Sequence, residues 1–182
     1  MTNSVGYTAM DSPIGPLLLA STEDGLCFIE FGEEQDSLSS LQRWCKKNFL
    51  GVYPVRDDRR NELVKKQLQE YFSGEREKFD LPLVLYGTPF QKTVWKQLTK
   101  IPYGQTRSYK EIAQAIGASK AVRAIGGANN RNPIPIVIPC HRVIGTNGAL
   151  VGYGGGLPIK EYLLGLEKAA CFQPDRSHPV IR

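Results

Sequence analysis

Cys140 and His141 stand side by side in Ile138-Pro139-Cys140-His141-Arg142-Val143, which sets the chain's best nucleophile next to a base. A free cysteine titrates at about 8.5, so only a few per cent is thiolate at neutral pH. A positioned imidazole raises that share and takes the proton as the sulfur attacks. The chain has 2 histidines, and the other, His178, lies in a Pro-containing tail, so His141 is the base within reach. Successive side chains on a strand point to opposite faces, so the pair needs a turn after Pro139 or a bridging water. Taken alone, Cys-His reads more often as a buried structural cysteine beside a loop-capping histidine. The setting has to carry the functional reading.

That setting is built from short helices. Thr88-Pro89 supplies an N-cap and a first-turn proline, and Phe90, Val94, Trp95, Leu98 and Ile101 form one apolar face. Ser108 caps a second helix, with Tyr109, Ile112, Ala113 and Ile116 at helical spacing. Gly117 stops it, Ser119 restarts the chain, and residues 120–128 form a third. Two short helices joined by a glycine-containing turn make the helix-turn-helix pattern. The second of them is rich in small residues (Ala121, Ala124, Gly126, Gly127, Ala128), so its backbone can approach a partner closely. A last helix is expected over residues 159–169. The first half reads as strands over 6–10, 16–20 and 26–31, the first two flanking the turn Ser12-Pro13-Ile14-Gly15. Helices follow over 38–48 and 57–73, the second carrying Val64, Leu68, Tyr71 and Phe72 as one stripe, and residues 75–87 read as a linker.

A chain of 182 residues, 41% hydrophobic and 23% charged, is long enough and apolar enough for one or two packed cores rather than disorder. No apolar run approaches the roughly 18 residues of a membrane span, and the first residues lack a signal-peptide layout. A cytosolic protein is the expectation, and 4 irregularly spaced cysteines suit a reducing compartment. Charge is divided unevenly. Residues 1–87 hold 10 Lys and Arg against 14 Asp and Glu, whereas residues 88–182 hold 13 against 4, a balance of +9 beside −4. A basic half next to an acidic one is the footprint of a surface that faces phosphates.

The run Asn132-Pro133-Ile134-Pro135-Ile136-Val137-Ile138-Pro139-Cys140-His141-Arg142-Val143-Ile144 resembles the active-site signature of the O6-alkylguanine-DNA alkyltransferases. The resemblance runs back through Ser108-Tyr109, Ile101 to Thr106, Val94-Trp95 and Thr88 to Gln91, and forward through Gly152 to Gly156 and Lys160 to Leu164 to Glu167. It covers essentially all of residues 88–168, with looser likeness before that. It implies an α/β (α+β) architecture: an amino-terminal lobe with an antiparallel-rich sheet over residues 1–87, a helix-turn-helix, winged-helix-like alkyl-acceptor domain over 88–170, and a tail over 171–182. It also implies a monomer that repairs double-stranded DNA once, moving an alkyl group from O6 of guanine (or O4 of thymine) to its own Cys140.

Residue by residue, the resemblance makes Cys140 the acceptor, linked through His141 and a water to Glu167, one of 4 acids after residue 87. Asn132 matches an asparagine that bonds backbone across the active-site turn. Tyr109 matches a donor to the departing base, and Val143 and Tyr153 match pocket residues. Gly154 stands where many relatives have serine, so a side-chain contact to the base is lost there. Arg123 matches the arginine that fills the stack when the damaged nucleotide is flipped out through the minor groove, with Ser119, Ala124 and Gly126 on the same DNA-facing element. No cofactor is expected. Some members carry a zinc near the amino terminus, but this half offers only Cys27 and Cys45 and no histidine, short of a four-ligand site.

Three other readings compete. A binding-only sensor of alkylguanine would lack the acceptor cysteine. A cysteine hydrolase would need an oxyanion site and a better layout than adjacent Cys-His. A transcriptional regulator would need an effector signature that the first 87 residues do not carry.

Overall fold

The computed structural model describes residues 4–168, which form two compact units divided between Tyr86 and Gly87. Cys171, His178 and the rest of the tail lie outside the described residues.

In the first unit, β1 (Gly6–Met10), β2 (Leu17–Ser21) and β3 (Leu26–Phe31) form an antiparallel meander, and a short β4 (Val55–Arg56) joins β1 in parallel, giving the order β3-β2-β1-β4. β2 is buried along its whole length, as its unbroken Leu17-Leu18-Leu19-Ala20 run requires of a central strand. The Ser12–Gly15 turn closes with Gly15 N–H on Ser12 O at 3.0 Å, and Gly15 takes the φ of 99° that a β-carbon would resist. Helix α1 (Glu34–Asn48) packs Leu41 and Cys45 with Val5, Leu18, Ala20, Cys27 and Phe28.

Helix α2 (Glu62–Phe72) buries the expected stripe of Val64, Leu68, Tyr71 and Phe72 but begins five residues later than its pattern suggests. The delay has a cause. Fully buried Asn61 donates to Gly6 O at 2.9 Å and Asp57 O at 3.0 Å and accepts from Ser21 Oγ at 2.8 Å, so residues 57–61 are held as a turn against β1. The stretch read as a linker also belongs in part to this unit. Leu26 N–H donates to Pro82 O and Val84 N–H to Leu26 O, both at 2.9 Å. A β-carbon on Gly25 would stand 2.4 Å from Pro82 O, so that approach depends on glycine.

The second unit is mostly helical: α3 (Pro89–Leu98), α4 (Tyr109–Ala115), α5 (Val122–Asn130) and α6 (Leu157–Leu166), with β5 (Arg107–Ser108) and β6 (Val143–Ile144) paired in parallel. Thr88 with Gln91 and Ser108 with Glu111 form complete capping boxes, so both helices start where their caps place them. Trp95, 1% exposed, donates its indole N–H to Ala128 O at 2.9 Å and fastens α3 to α5. Helices α4 and α5 are the helix-turn-helix pair, with Gly117 at φ 71° between them. Helix α5 starts two residues later than expected and runs to Asn130, and α6 starts earlier, taking Pro158 into its first turn. Among the described residues no helix is long and apolar enough to cross a membrane, and no three metal-ligating side chains gather.

Candidate active site

The apolar run before the cysteine is a knot of turns rather than a strand. Ile138 N–H returns to Ile134 O at 2.9 Å, and Ile136 is held at φ 74° while fully buried. A β-branched residue in that region costs about 1–3 kcal/mol, so its surroundings must impose it. Asn132 does so: its Nδ2 donates to Ile138 O at 2.8 Å and its Oδ1 accepts from Ile134 N–H at 3.0 Å. The chain then enters a single 3-10 turn, Cys140–Arg142. At three residues per turn, successive side chains diverge by about 120°, so Cys140, His141 and Arg142 address three different directions. The turn that the Cys-His pair needs after Pro139 is present.

His141 and Glu167 are wholly buried and joined by Nε2 and Oε1 at 2.7 Å. Arg142 grips the same carboxylate twice, Nε to Oε2 at 2.9 Å and Nη2 to Oε1 at 2.8 Å, and spends Nη1 on Ile101 O at 2.7 Å. Burial alone would raise the Glu167 carboxyl. The hydrogen-bonded His141 and Arg142 outweigh it and hold the group well below the usual carboxylate range. Burial pushes His141 down, against the pull of Glu167, so the ring is neutral at pH 7. An ionised acceptor at Nε2 selects the tautomer with its proton there. Nδ1 is thereby left as an acceptor, buried and without a protein partner among the described residues. A β-carbon on Gly104, at φ 76°, would come within 3.1 Å of Glu167 O, so the loop after Ile101 closes tightly over this cluster.

The Cys140 thiol is 4% exposed, and burial pushes it up to about 11 against the lowering effects of Asn132, Lys160 and nearby backbone N–H groups. An imidazole next door therefore does not produce a resting thiolate, contrary to the simplest expectation; desolvation wins. Tyr153 places its buried hydroxyl at the thiol, and burial first, then Cys140 and Glu167, raise it well above an ordinary tyrosine. Tyr109 Oη donates to Val151 O at 2.9 Å, and its titration too is raised, by burial and by Cys140. Val143 is fully buried beneath the turn. A β-carbon at Gly154 would meet only Asn130 O at 3.9 Å, so the backbone there has room for the serine this chain lacks.

Three residues around this site carry no role in the sequence-based reading. Arg142 completes the carboxylate cluster. Asn129, 2% exposed, turns its Nδ2 toward Cys140 O at 3.4 Å. Lys160 is fully buried, with Nζ 2.6 Å from Val143 O. A signal for the last was present: Lys160, Leu163, Leu164 and Glu167 fall at i, i+3, i+4 and i+7, which sets two charged residues on the buried stripe of α6.

Away from the cysteine, α5 buries Ile125, Ala128 and Asn129 and exposes Val122, Arg123, Ala124 and Gly127, with Gly126 half-buried and Ser119 exposed in the preceding turn. A β-carbon at Gly126 or Gly127 would meet nothing within 4 Å. Packing inside the protein therefore does not ask for glycine at either position, although each weakens a helix by about 1 kcal/mol relative to alanine.

Fold and site together set a buried thiol, next in the chain to a carboxylate-bonded imidazole, in the same unit as a helix-turn-helix. The profile of the 6-O-methylguanine DNA methyltransferase DNA-binding domain matches residues 89–169, and that of the ribonuclease-like domain of the same protein matches residues 5–85. The chain is 50% identical over 163 residues to a methylated-DNA–protein-cysteine methyltransferase of Methanosarcina barkeri, spanning 89% of this chain and 96% of that one. It is 46% identical over 165 residues to the constitutive enzyme of that name from Bacillus subtilis, spanning 89% and 94%. Among solved structures, Mycobacterium tuberculosis OGT in complex with DNA aligns with a TM-score of 0.76 at 47% identity, over 91% of this chain and 92% of that one. The chain belongs to the 6-O-methylguanine DNA methyltransferase family.

Proposed function

We propose that the protein repairs alkylated DNA by taking the alkyl group from O6 of guanine onto Cys140, once per molecule. The buried Cys140, next in the chain to a neutral His141 whose tautomer is set by an ionised Glu167, carries this reading. Because burial keeps the resting thiol protonated, its proton has to be taken up by a base for the sulfur to attack. His141 Nδ1 takes the thiol proton through a bridging water, and Glu167 stabilises the imidazolium that forms. Cys140 Sγ bonds the alkyl carbon as the carbon–O6 bond breaks. The electron pair leaves on guanine, which Tyr109 protonates after releasing Val151 O. The proton taken up by His141 returns through water to the Tyr109 oxygen, so that both side chains end neutral. A thioether has no ready hydrolytic exit, so the acceptor is consumed.

Asn132 keeps the turn in shape, while Val143, Tyr153 and the backbone at Gly154 form the base pocket. A base stacked in a duplex cannot present O6 to a thiol, so the nucleotide is flipped out. Arg123 enters the vacated stack, and Ser119, Ala124 and Gly126 lie along the DNA. Glycines with open space above them fit a helix whose partner is a minor groove. Residues 88–170 hold both the DNA surface and the acceptor, and the protein works as a monomer on DNA in the cytoplasm. A binding-only sensor would have no use for a thiol backed by this cluster.

Intact mass after incubation with an O6-methylguanine duplex tests the reading. One methyl group is expected on the peptide that holds Cys140, with no turnover beyond one equivalent. Methyl on Cys27, Cys45 or Cys171, or continuing turnover, would reject it.

A further inference from the structure

Lys160 is a fully buried cation with no carboxylate partner among the described residues. Its Nζ lies 2.6 Å from Val143 O, 3.4 Å from Val151 O and 3.5 Å from Gly152 O. The first contact is a short hydrogen bond. The other two are long, the geometry of a cation shared among carbonyl dipoles. These three carbonyls come from two separate stretches, β6 and residues 151–152. Val151 O is also the acceptor of Tyr109 Oη. One ammonium therefore sets the position of β6, of the 151–152 segment and, through it, of Tyr109. Burying a charge without a counter-ion is expensive, so the arrangement calls for a use.

We propose that Lys160 is a positioning residue for alkyl transfer, holding the Val143 and Val151 carbonyls in register while placing its charge against Cys140 as the thiolate develops. The proposal rests on the alkyl-transfer reading above. Its charge acts on both Cys140 and His141. Glu167 lies one step beyond, behind His141, and Tyr109 across the shared carbonyl. Among these groups Lys160 is the one expected to titrate just above neutrality. Burial lowers it to about 8, whereas Cys140 is raised to about 11 and Tyr109 lies above the ordinary tyrosine value. His141, already neutral at pH 7, does not titrate in that range. Loss of the Lys160 proton removes the favourable charge and slackens the clamp together.

The test is the single-turnover methyl-transfer rate from saturating O6-methylguanine duplex between pH 6.5 and 9.5. The intact protein should be flat near neutrality and slow above about pH 8. Lys160→Met should be slower at pH 7 by about 10-fold or more, the equivalent of one pKa unit of lost charge stabilisation, and should show no further decline above pH 8. Lys160→Arg keeps a charge that does not titrate. It should recover most of the neutral rate and hold it past pH 8, which separates a charge effect from damage to the fold. A decline near pH 8 that persists in Lys160→Arg, or a Lys160→Met rate equal to the intact protein's, overturns the proposal. An intact protein with no decline above pH 8 overturns it too. No transfer to Cys140 by the intact protein at any pH would instead reject the alkyl-transfer reading itself.

Discussion

At the scale of single residues, the site is organised around one carboxylate that is over-supplied with donors. Glu167 accepts from His141 and twice from Arg142 in a dry pocket, so it stays ionised and fixes the imidazole. Glu167→Gln keeps the shape and removes the charge. It should slow methyl transfer at pH 7.5 by about 10²-fold, the scale of a lost general base, with duplex affinity nearly unchanged. Stopped-time mass spectrometry and a binding titration measure the two separately, and an unaltered rate would remove Glu167 from the proposed relay. Arg142→Leu attacks the other side of the cluster and leaves a buried carboxylate short of its charged partner. Breaking a buried pair in this way costs about 3–5 kcal/mol, read as a fall in the urea midpoint. A midpoint equal to that of the intact protein would mean that the pair is neutral for stability.

At the scale of elements, α5 is a helix that gives up propensity for access. Gly126 and Gly127 weaken it, yet neither is demanded by neighbouring atoms, and Arg123 stands exposed on the same helix. Arg123→Ala should therefore slow repair of duplex DNA much more than reaction with free O6-benzylguanine, because only the duplex requires a base to be unstacked, at a few kcal/mol. Equal losses on both substrates would place Arg123 with the fold or the thiol. Helix α6 makes the opposite trade, with Lys160 and Glu167 buried on its apolar stripe and each satisfied by the turn it faces.

For the whole molecule, acid should be the weak side. The Glu167 carboxyl is depressed in the folded state, against about 4.3 in an unfolded chain. The stability it contributes is complete above the unfolded value and is lost as pH falls toward the folded one. His141 has the same sign, since its folded pKa lies below the free value of about 6.5 and the unfolded chain takes up the proton first. The urea midpoint should begin to drop below about pH 6.5, where the unfolded chain protonates His141, and drop further below about pH 4.3, where it protonates Glu167. A midpoint flat from about pH 7 to pH 5 would contradict the first assignment, and one flat from about pH 5 to pH 3 the second. The +9 balance of residues 88–182 makes a second demand: duplex affinity should fall steeply as salt rises, because counter-ions are released from the phosphates. Salt-independent binding would mean that the basic half does not face DNA.

Much of this was local and so legible in the chain. Capping boxes at Thr88 and Ser108, the stripe in α2 and the strand–turn–strand around Ser12–Gly15 depend on residues a few positions apart. The family signature located Cys140, His141 and Glu167 together. Boundaries failed where distant atoms intervened: Asn61 holds residues 57–61 on β1 and delays α2, and β4, β5 and β6, each two residues long, are strands only because a partner lies beside them. The protonation of the site was not in the sequence either. Adjacency of Cys140 and His141 suggested a larger thiolate share, but burial of Cys140 holds the thiol protonated, and desolvation exists only once the chain has closed. The same holds for Lys160 and Arg142. Helical spacing marked Lys160 as inward-facing and nothing in the chain marked Arg142, and which carbonyls and which carboxylate they would meet was decided by the packing of α6 against the Cys140 turn.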